Sequence, residues 1–280
     1  MCRSGRRPDC LRRALTVAAI QRDPILDFTG KAALITGAAS GFGALLAEEL
    51  GRRGARLVLG DINEAGLAPV VEKLTLLGAE VRAIACDVSV EADCAAMVAL
   101  AEESFGGLDI AVNNAGIAPP LQYFEEVDEE TFDLQHRVNV KGVFFGMKHQ
   151  LKRMRRQGSG AILNVSSMAG IGGAPKASPY AAAKHSVVGL TRTAAVEYAR
   201  HNVRVNAICP FFTLTPMITG MQAPEGSTLE QVHAVFAAGC PMKRLGKPEE
   251  VVSAMLMMCS PALTYVTGQT LAVDGGVSAF

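Results

Sequence analysis

Two side chains beyond the middle of the chain have the types and the spacing of an acid–base pair. Tyr180 and Lys184 stand four residues apart in PYAAAKHSVVGL, a run typical of a helix, so they share one helix face about one turn apart. A free phenol has a pKa of about 10, and a nearby ammonium group favours the phenolate and lowers that pKa. A tyrosine tuned in this way can take a proton from an alcohol or return one to a carbonyl oxygen.

A serine precedes this pair at the end of an apolar run. Ser167 stands thirteen residues before Tyr180, after AILNV, where a hydroxyl can hydrogen-bond the substrate oxygen that reacts. By itself, a Tyr-x-x-x-Lys pair is more often a solvated surface pair than a catalytic one. The elements that must position these residues therefore decide between the two interpretations.

The strongest of these elements is a glycine-rich turn near the start of the chain. The apolar strand Ala32–Thr36 is followed by TGAASGFG and then by a helical run, ALLAEELGRRG. Glycines at this position allow the backbone to approach a pyrophosphate, and the helix N-terminus offers it free N–H groups. A tight strand-to-helix turn without a ligand is the alternative interpretation.

An acidic residue closes the next strand. Asp61 ends ARLVLGD, eighteen residues after Gly43, where a carboxylate can accept hydrogen bonds from an adenosine ribose and repel a 2′-phosphate. Ala38, Ala39 and Ile62 supply no cation for that phosphate, so the sequence favours NAD over NADP. The alternative is an Asp that caps the following helix, although Asn63 can cap it instead.

Polar residues also follow the next two strands. Asp87 and Val88 stand at the end of EVRAIACDV, a suitable place to hold an adenine edge, and Asn114 ends the strand that begins after Asp109. Asn139 lies within a long amphipathic helix that starts near residue 132. Asparagine is unfavourable in a helix interior and can bend the helix, so it is either functional or partly exposed.

The alternation of strands and helices defines the fold class. It predicts a single-domain α/β protein, a doubly wound Rossmann-type sheet of seven mainly parallel strands, with its ligand at the carboxyl ends of the strands. Residues 28–280 form this NAD-binding catalytic domain. The insertion 211–245 is rich in Phe, Met, Thr and Gly, and we expect a substrate lid there, a packed surface flap being the alternative.

Composition excludes several other classes. The 280 residues have a net charge of zero, so nothing indicates a nucleic acid partner. The seven cysteines are scattered without a C-x-x-C spacing, which argues against a disulfide framework or a metal site and suits the cytoplasm. No apolar run approaches the ~20 residues of a membrane span. Residues 1–27 are arginine-rich, and we interpret them as a disordered extension, with a targeting segment or an early start codon as alternatives.

Together these segments strongly resemble the compact type of the short-chain dehydrogenase/reductase family. The motifs that carry the resemblance are TGAASGFG, Asp61, Asp87-Val88, NNAG, Asn139, NVSSMAG, YAAAK and TGQTLAVDGG, and their order and spacing agree. The resemblance extends from about Phe28 to the end of the chain. One position departs from it, because Phe211 replaces the glycine that usually follows the proline, which predicts a displaced loop or a narrowed pocket beside the nicotinamide.

The resemblance implies a role for each site residue. Tyr180 is the general acid/base, Lys184 lowers its pKa and holds the nicotinamide ribose, Ser167 binds the substrate oxygen, and Asn139 holds a water that relays protons from Lys184. Cofactor binding is implied for a wider set: Gly37, Ser40, Gly41, Phe42, Gly43, Asp61, Asp87, Val88, Asn114, Tyr180, Lys184, Thr213 and Thr215. Thr213 and Thr215 would hold the nicotinamide end.

The implied activity is an NAD-dependent hydride transfer between nicotinamide and a secondary alcohol or ketone, without a metal. Cyclic alcohols, sterols, dihydrodiols and 3-hydroxyacyl groups are candidate substrates, and oxidation is the favoured direction. A 3-oxoacyl-type ketoreductase and a non-catalytic NAD(H)-sensing protein remain alternatives. The family also implies a homotetramer, which the apolar stretches VFFGM and VVGL permit.

Overall fold

Strands and helices alternate along the chain in the predicted order. The computed structural model describes residues 23, 25–221 and 226–279, so the predicted extension lies almost wholly outside the described residues. The strands are Ala32–Thr36 (β1), Arg56–Asp61 (β2), Val81–Ala85 (β3), Ile110–Asn113 (β4), Gly160–Val165 (β5), Val203–Pro210 (β6) and Thr270–Val273 (β7). The helices are Gly41–Arg52 (α1), Glu64–Leu76 (α2), Glu91–Phe105 (α3), Glu129–His136 (α4), Gly142–Gln157 (α5), Ser178–Tyr198 (α6), Pro216–Thr219 (α7), Leu229–Gly239 (α8) and Pro248–Cys259 (α9).

The described strands form one sheet in the order β3-β2-β1-β4-β5-β6-β7. Every neighbouring pair is parallel, so the predicted doubly wound sheet is confirmed and is wholly parallel in this part of the chain. The central strand β1 is buried along its whole length, because helices cover both faces. The strand order reverses direction between β1 and β4, where such folds bind their ligands.

Two apolar layers hold the helices against the sheet. One contains Leu50 of α1, Leu74 of α2 and Met255 of α9. The other contains Met97 of α3 and Met147 of α5, together with the inner face of α6. Each layer follows the i, i+3, i+4 pattern of its helices, which therefore fixes which helix face meets the sheet.

The long helix predicted around Asn139 is interrupted. Residues Arg137–Lys141 form a π-helical turn between α4 and α5. Asn139 is fully buried there, because its amide binds the backbone of Ile117 on the neighbouring loop and the side chain of Gln135. A widened turn of this kind is frequent at functional sites. Of the two alternatives for Asn139, the partly exposed face is wrong, because the side chain is buried.

The insertion 211–245 carries two of the described helices, α7 and α8, and its ends are joined. Thr213 pairs with Gly246 in an isolated parallel bridge. Phe212 of the first end stacks on Phe236 of α8 with ring centroids 3.6 Å apart and an interplanar angle of 4°. The segment is thus packed onto the strand ends and is not a detached loop.

At the other end of the chain, contact with the body begins before Phe28, because Ser260 Oγ donates a hydrogen bond to the carbonyl of Ile25. None of the helices in the described ranges is both long and apolar enough to cross a membrane.

Candidate active site

The predicted acid–base residues lie where β5 ends and α6 begins. Ser167 follows β5 and caps a short 3-10 turn, its Oγ accepting a hydrogen bond from the Ala169 amide at 3.1 Å. Tyr180 and Lys184 lie in the first two turns of α6, which starts at Ser178 and has Pro179 in its first turn. The structure therefore brings all three residues to the carboxyl edge of the sheet.

Lys184 is a buried cation. Its side chain is 4% exposed, and Nζ donates a hydrogen bond of 2.8 Å to the carbonyl of Val165 at the end of β5. Nζ also lies 5.5 Å from the centroid of the Tyr180 ring. Burial disfavours the ammonium form and lowers the pKa of Lys184 to about 8.

The phenol responds to the same environment in the opposite direction. Burial raises the pKa of Tyr180 above its ordinary value, and a hydrogen bond with Ser167 offsets only part of that effect. The prediction that a neighbouring lysine lowers this pKa is therefore wrong. The reason is that burial penalises the phenolate, and this is the largest effect on the group.

Asn139 and Lys184 meet at Gly116. A Cβ added to Gly116 would lie 2.8 Å from Asn139 Oδ1 and 3.5 Å from Lys184 Nζ. Asn139 Oδ1 accepts a hydrogen bond from the Ile117 amide, and its Nδ2 donates to the Ile117 carbonyl and to Gln135. The π-helical turn and the loop after β4 therefore carry an amide to the side of the buried lysine.

The glycine turn has the close packing expected of a phosphate cradle. Gly37 and Gly41 have φ values of 65° and 55°, which disfavour side chains. A Cβ on Gly43 would lie 2.1 Å from the Gly37 carbonyl oxygen. Ser40 precedes α1 without capping it by its side chain, so the first N–H groups of the helix stay available for an anion, with Phe42 in that first turn.

Asn114 holds this turn from the neighbouring strand. Its Nδ2 donates to the carbonyls of Thr36 and Gly37 at 2.9 and 3.0 Å. Thr36 Oγ1 in return accepts hydrogen bonds from the amides of Asn114 and Ala115, at 3.1 Å each. The side-chain amide of Asn114 therefore braces the glycine turn.

Asp61 lies at the end of β2 beside the glycine turn. Its Oδ2 accepts a hydrogen bond from the Ala39 amide and its Oδ1 one from the Asn63 amide, each at 2.9 Å. Asn63 caps α2 by accepting a hydrogen bond from the Gly66 amide, as predicted. Because Asn63 performs the capping, the carboxylate of Asp61 is left facing the turn and not the helix.

Asp87 and Val88 lie just beyond the end of β3. Asp87 Oδ1 accepts a hydrogen bond from the Ser89 amide at 2.9 Å, and its own amide donates to Asp93 of α3 at 3.0 Å. Val88 is buried, and a Cβ on Gly142 would lie 2.7 Å from its Cγ2. This segment is thus packed between α3 and the start of α5.

The residues after β6 reach the glycine turn from the opposite half of the sheet. A Cβ on Gly41 would lie 3.9 Å from Thr215 Cβ, so Thr215 faces the turn directly. Thr213 is buried, and its Oγ1 donates to the Phe211 carbonyl at 2.9 Å. All the predicted cofactor residues therefore stand along one edge of the sheet.

This edge combines a glycine-rich turn, a carboxylate beside it and a buried lysine. Comparison with known proteins agrees. The family model described as enoyl-(acyl carrier protein) reductase matches residues 37–278. Cis-4-hydroxycyclohexanecarboxylate dehydrogenase of Sinomonas cyclohexanicum is 42% identical over 252 residues, which cover 90% of this chain and 98% of that protein.

The chain belongs to the short-chain dehydrogenase/reductase family. It is therefore an alcohol dehydrogenase/reductase with a nicotinamide cofactor. The crystal structure of levodione reductase superposes with a TM-score of 0.87 at 38% identity and covers 90% of this chain and 99% of that one. The structure of 3-ketoacyl-(acyl-carrier-protein) reductase from Brucella melitensis complexed with NADH has a TM-score of 0.82 at 36% identity, covering 90% and 100%.

Within this short-chain dehydrogenase/reductase, two site residues were missed from the sequence. Thr36 holds the Asn114 loop, and Gln135 binds Asn139 Nδ2 through Oε1 at 2.7 Å while being 1% exposed. The four-residue spacing of Gln135 and Asn139 was a usable signal, because residues i and i+4 share a helix face. In the described part of the chain, no group of three or more His, Cys, Asp or Glu side chains is arranged to hold a metal ion.

Proposed function

We propose that the protein oxidises a cyclic secondary alcohol to the ketone with NAD⁺, and that the reaction is reversible. The observation that carries the proposal is the convergence of Ser167, Tyr180 and Lys184 at the end of β5. The buried Nζ of Lys184 lies 5.5 Å from the centre of the Tyr180 ring, and Ser167 lies close enough to the phenol to lower its pKa. This arrangement supplies a proton acceptor, a cation that tunes it, and a hydroxyl for the substrate oxygen.

Each residue has one task in this mechanism. Ser167 hydrogen-bonds the substrate oxygen, and Tyr180 takes its proton on oxidation or returns one on reduction. Lys184 stabilises the phenolate and passes the proton through water beside Asn139 to solvent. When bound, the nicotinamide accepts or donates the hydride.

The cofactor fits the glycine cradle, and we propose NAD rather than NADP. Asp61 carries a negative charge beside the turn, where a 2′-phosphate would be repelled, while the ribose hydroxyls can donate to its free lone pairs. Lys184 would hold the nicotinamide ribose. The remaining residues that would hold the dinucleotide are Gly37, Ser40, Gly41, Phe42, Gly43, Asp87, Val88, Asn114, Tyr180, Thr213 and Thr215.

The substrate proposal rests on the relatives and on the lid. The relatives include proteins named cis-4-hydroxycyclohexanecarboxylate dehydrogenase and levodione reductase. Within the segment that we propose as the lid, the rings of Phe212 and Phe236 stack on each other, and Met217 on α7 is half-exposed. Apolar walls of this kind suit a six-membered ring carrying one reactive hydroxyl.

A screen tests the proposal. Purified protein is incubated with a panel of cyclic and open-chain secondary alcohols and with NAD⁺ or NADP⁺, and the reduced cofactor is followed at its absorbance maximum. We expect turnover of cyclic alcohols with NAD⁺ and little with NADP⁺. A preference for NADP⁺ would overturn the assignment of Asp61, and NAD binding without turnover across the panel would support the NAD(H)-sensing alternative.

The second candidate is a 3-oxoacyl-type ketoreductase. The observation in its favour is the NADH-complexed 3-ketoacyl-(acyl-carrier-protein) reductase that shares this fold at 36% identity. Against it, the loop beyond β4 carries Glu125, Glu126 and Asp128, whereas an acidic carrier protein requires a basic surface. Activity on 3-oxoacyl thioesters that exceeds activity on every cyclic ketone would reverse our preference.

We further propose a cytoplasmic homotetramer. The cysteines of the described part are free and buried, which suits a reducing compartment. In the expected stretch VVGL, Val187 and Val188 lie in the core instead, whereas Phe144 of the stretch VFFGM is 47% exposed. Val196, outside both stretches, is 83% exposed. These apolar side chains on α5 and α6 support contact between subunits, and a sedimentation experiment that finds a monomer would contradict it.

A further inference from the structure

A buried hydrogen-bond network that takes no part in the proton chemistry lies under the active site. Its members come from four elements: Asn113 at the end of β4, Asn164 in β5, Gln150 in α5 and Thr191 in α6. All four are at most 3% exposed. Buried amides and hydroxyls are costly unless they are hydrogen-bonded, so the partners of these groups constrain the elements that carry them.

The bonds to α6 pass through Asn164 and Thr191. Asn164 Nδ2 donates to Thr191 Oγ1 at 2.9 Å, and Thr191 Oγ1 donates to the Val187 carbonyl one turn earlier in α6 at 2.8 Å. The hydroxyl thus accepts one bond from β5 and donates one within its own helix. It is a link between the strand that ends at Ser167 and the helix that carries Tyr180.

The bonds to β4 and α5 complete the network. Asn113 Nδ2 donates to Asn164 Oδ1 at 2.8 Å and to Gln150 Oε1 at 3.0 Å, and Gln150 Nε2 returns a bond to Asn113 Oδ1 at 2.8 Å. Asn164 Nδ2 also contacts Met147 Sδ at 3.2 Å. Each amide group in the network thus has at least one partner on another element, so none of the four elements can slide without breaking a buried bond.

The network is placed to control catalytic geometry. Thr191 stands seven residues after Lys184, two turns along the same face of α6, so its anchor acts on the face that bears both Tyr180 and Lys184. Asn164 stands three residues before Ser167 on β5. The hydrogen bond between Asn164 and Thr191 therefore joins α6, which carries Tyr180, to β5, which leads to Ser167.

We propose that Thr191 is a positioning residue, which through its hydrogen bond from Asn164 sets the separation between Ser167 and the Tyr180–Lys184 pair. The inference rests on the proposed roles of those three residues. A reacting group displaced by about 1 Å can lose roughly 10²-fold in rate even when the change lies far from the chemistry. Thr191 is too deeply buried to touch a substrate or cofactor itself.

The test is Thr191→Val, which keeps the shape of the side chain and removes its hydroxyl. We expect kcat for alcohol oxidation to fall about 10- to 100-fold, with NADH dissociation constants unchanged within about twofold. Activity is expressed per NADH-binding site, counted by fluorescence titration, so that loss of folded protein does not appear as loss of kcat. Thr191→Ser restores the hydroxyl and should recover most of kcat.

The pH dependence gives a second measurement. A phenol held farther from Ser167 loses the contact that lowers its pKa, so the acid limb of the kcat/KM profile for oxidation should move to higher pH in Thr191→Val. A variant that is only less stable would keep the profile of the parent enzyme. If Thr191→Val gives no soluble protein, Thr191→Cys is the second variant, because it keeps the size of the side chain and offers a weak hydrogen-bond acceptor. Its kcat should lie between that of the parent enzyme and complete loss of activity.

Thr75 provides the matched control. Its Oγ1 makes the same bond one turn back within its helix, to the Val71 carbonyl at 2.8 Å, but on the exposed side of α2. Thr75→Val should leave kcat and the pH profile unchanged.

Unchanged kcat and an unchanged profile in Thr191→Val, or equal effects of the Val and Ser variants, would overturn the inference. Turnover that survives in Tyr180→Phe would instead overturn the proposed mechanism, so the two failures are distinguishable.

Discussion

The two ends of the cofactor edge are built by different means. At the glycine turn, backbone atoms form the site and leave no space for side chains. A Cβ on Gly43 would lie 2.1 Å from the Gly37 carbonyl oxygen. At the catalytic end side chains do the positioning, and a charged group is buried: Lys184 is 4% exposed, with its pKa lowered to about 8. The first end is close-packed by backbone atoms, and the second holds a buried ammonium group that pays a desolvation cost.

This difference predicts opposite responses to mutation. At the glycine turn, adding a methyl group should reduce both stability and cofactor binding, because backbone atoms fill the space. At the catalytic end, removing a polar group should abolish activity while leaving stability unchanged or raised. Trade-offs of this kind are expected where function requires a buried charge.

The largest effect is expected for Tyr180→Phe. Loss of the only proposed proton carrier should lower kcat by about 10³- to 10⁴-fold, whereas the NADH dissociation constant should change little. Steady-state rates and NADH fluorescence titration on the same preparation check both parts. Tyr265→Phe is the control, since that side chain is fully exposed, and a variant at Tyr180 that keeps more than a tenth of the rate would contradict the mechanism.

Lys184→Met should separate activity from stability. Below pH 8 the buried ammonium costs the folded state about 3 kcal/mol, because its pKa of about 8 lies below the ordinary lysine value of 10.5. The lost hydrogen bond to Val165 offsets about 1 kcal/mol of this. We therefore expect kcat to fall at least about 100-fold while the free energy of unfolding at pH 7 rises by about 2 kcal/mol.

The pH dependence of that gain has a defined sign. A group with a lowered folded-state pKa binds fewer protons in the folded state, so the wild type gains stability as pH rises from about 8 to 10.5. The gain in unfolding free energy from Lys184→Met should therefore be largest below pH 8 and become smaller above it. Denaturant unfolding at pH 7 and pH 9.5 measures it, with Lys73→Met as control, because Lys73 is exposed and pairs with Glu48 at 2.6 Å. If Lys184→Met were less stable than the wild type at pH 7, the proposed cost of burying the Lys184 ammonium would be contradicted.

Gly43→Ala tests the glycine-turn end of the cofactor edge. The new methyl group would overlap the Gly37 carbonyl and the amide of Asn114, so the turn must move. We expect a loss of about 2 kcal/mol in unfolding free energy and NADH binding weakened about tenfold or more.

Gly189→Ala is the matched control for this substitution. It lies within α6 with nothing near its Cβ position, and it should be neutral or stabilising by about 0.5–1 kcal/mol. Equal effects of Gly43→Ala and Gly189→Ala on the free energy of unfolding and on NADH binding would contradict the proposed difference between the two ends.

Much of this organisation could be predicted from residue patterns. The strand Ala32–Thr36 has the predicted bounds, because its apolar run ends at the glycine turn. The strand-end positions of Ser167 and Asp61 follow from the same patterns, since parallel strands carry their carboxyl ends to one edge.

What could not be predicted depends on burial by distant segments. The pKa of Tyr180 is raised because residues from several elements desolvate the phenol, which a local Tyr–Lys spacing does not reveal. The helix around Asn139 is interrupted because Ile117, twenty-two residues earlier, binds its amide. Likewise, the VVGL stretch looked like an interface because its apolar residues are consecutive, yet α6 turns Val187 and Val188 inward.

Asp61→Ala should have a smaller effect than the glycine substitution, since it removes a contact without displacing backbone. The variant loses the hydrogen bond from the Ala39 amide and the charge that repels a 2′-phosphate. We expect NAD affinity to fall about tenfold and the NAD/NADP preference in kcat/KM to narrow by about 10- to 100-fold. Parallel titrations with NADH and NADPH measure it, and an unchanged preference would remove Asp61 from cofactor selection.

The smallest effect is expected for Phe211→Gly, at the boundary between the two ends. Phe211 is not among the residues with positive φ, its amide donates to the Val273 carbonyl at 3.1 Å, and its ring packs edge-on against Phe212 at 4.8 Å. The backbone strain expected for a side chain at this position is therefore absent. Restoring glycine should cost about 1–2 kcal/mol in unfolding free energy, through lost packing and added chain entropy. It should change the NADH dissociation constant less than about threefold, and a stabilised variant would show that strain is present after all.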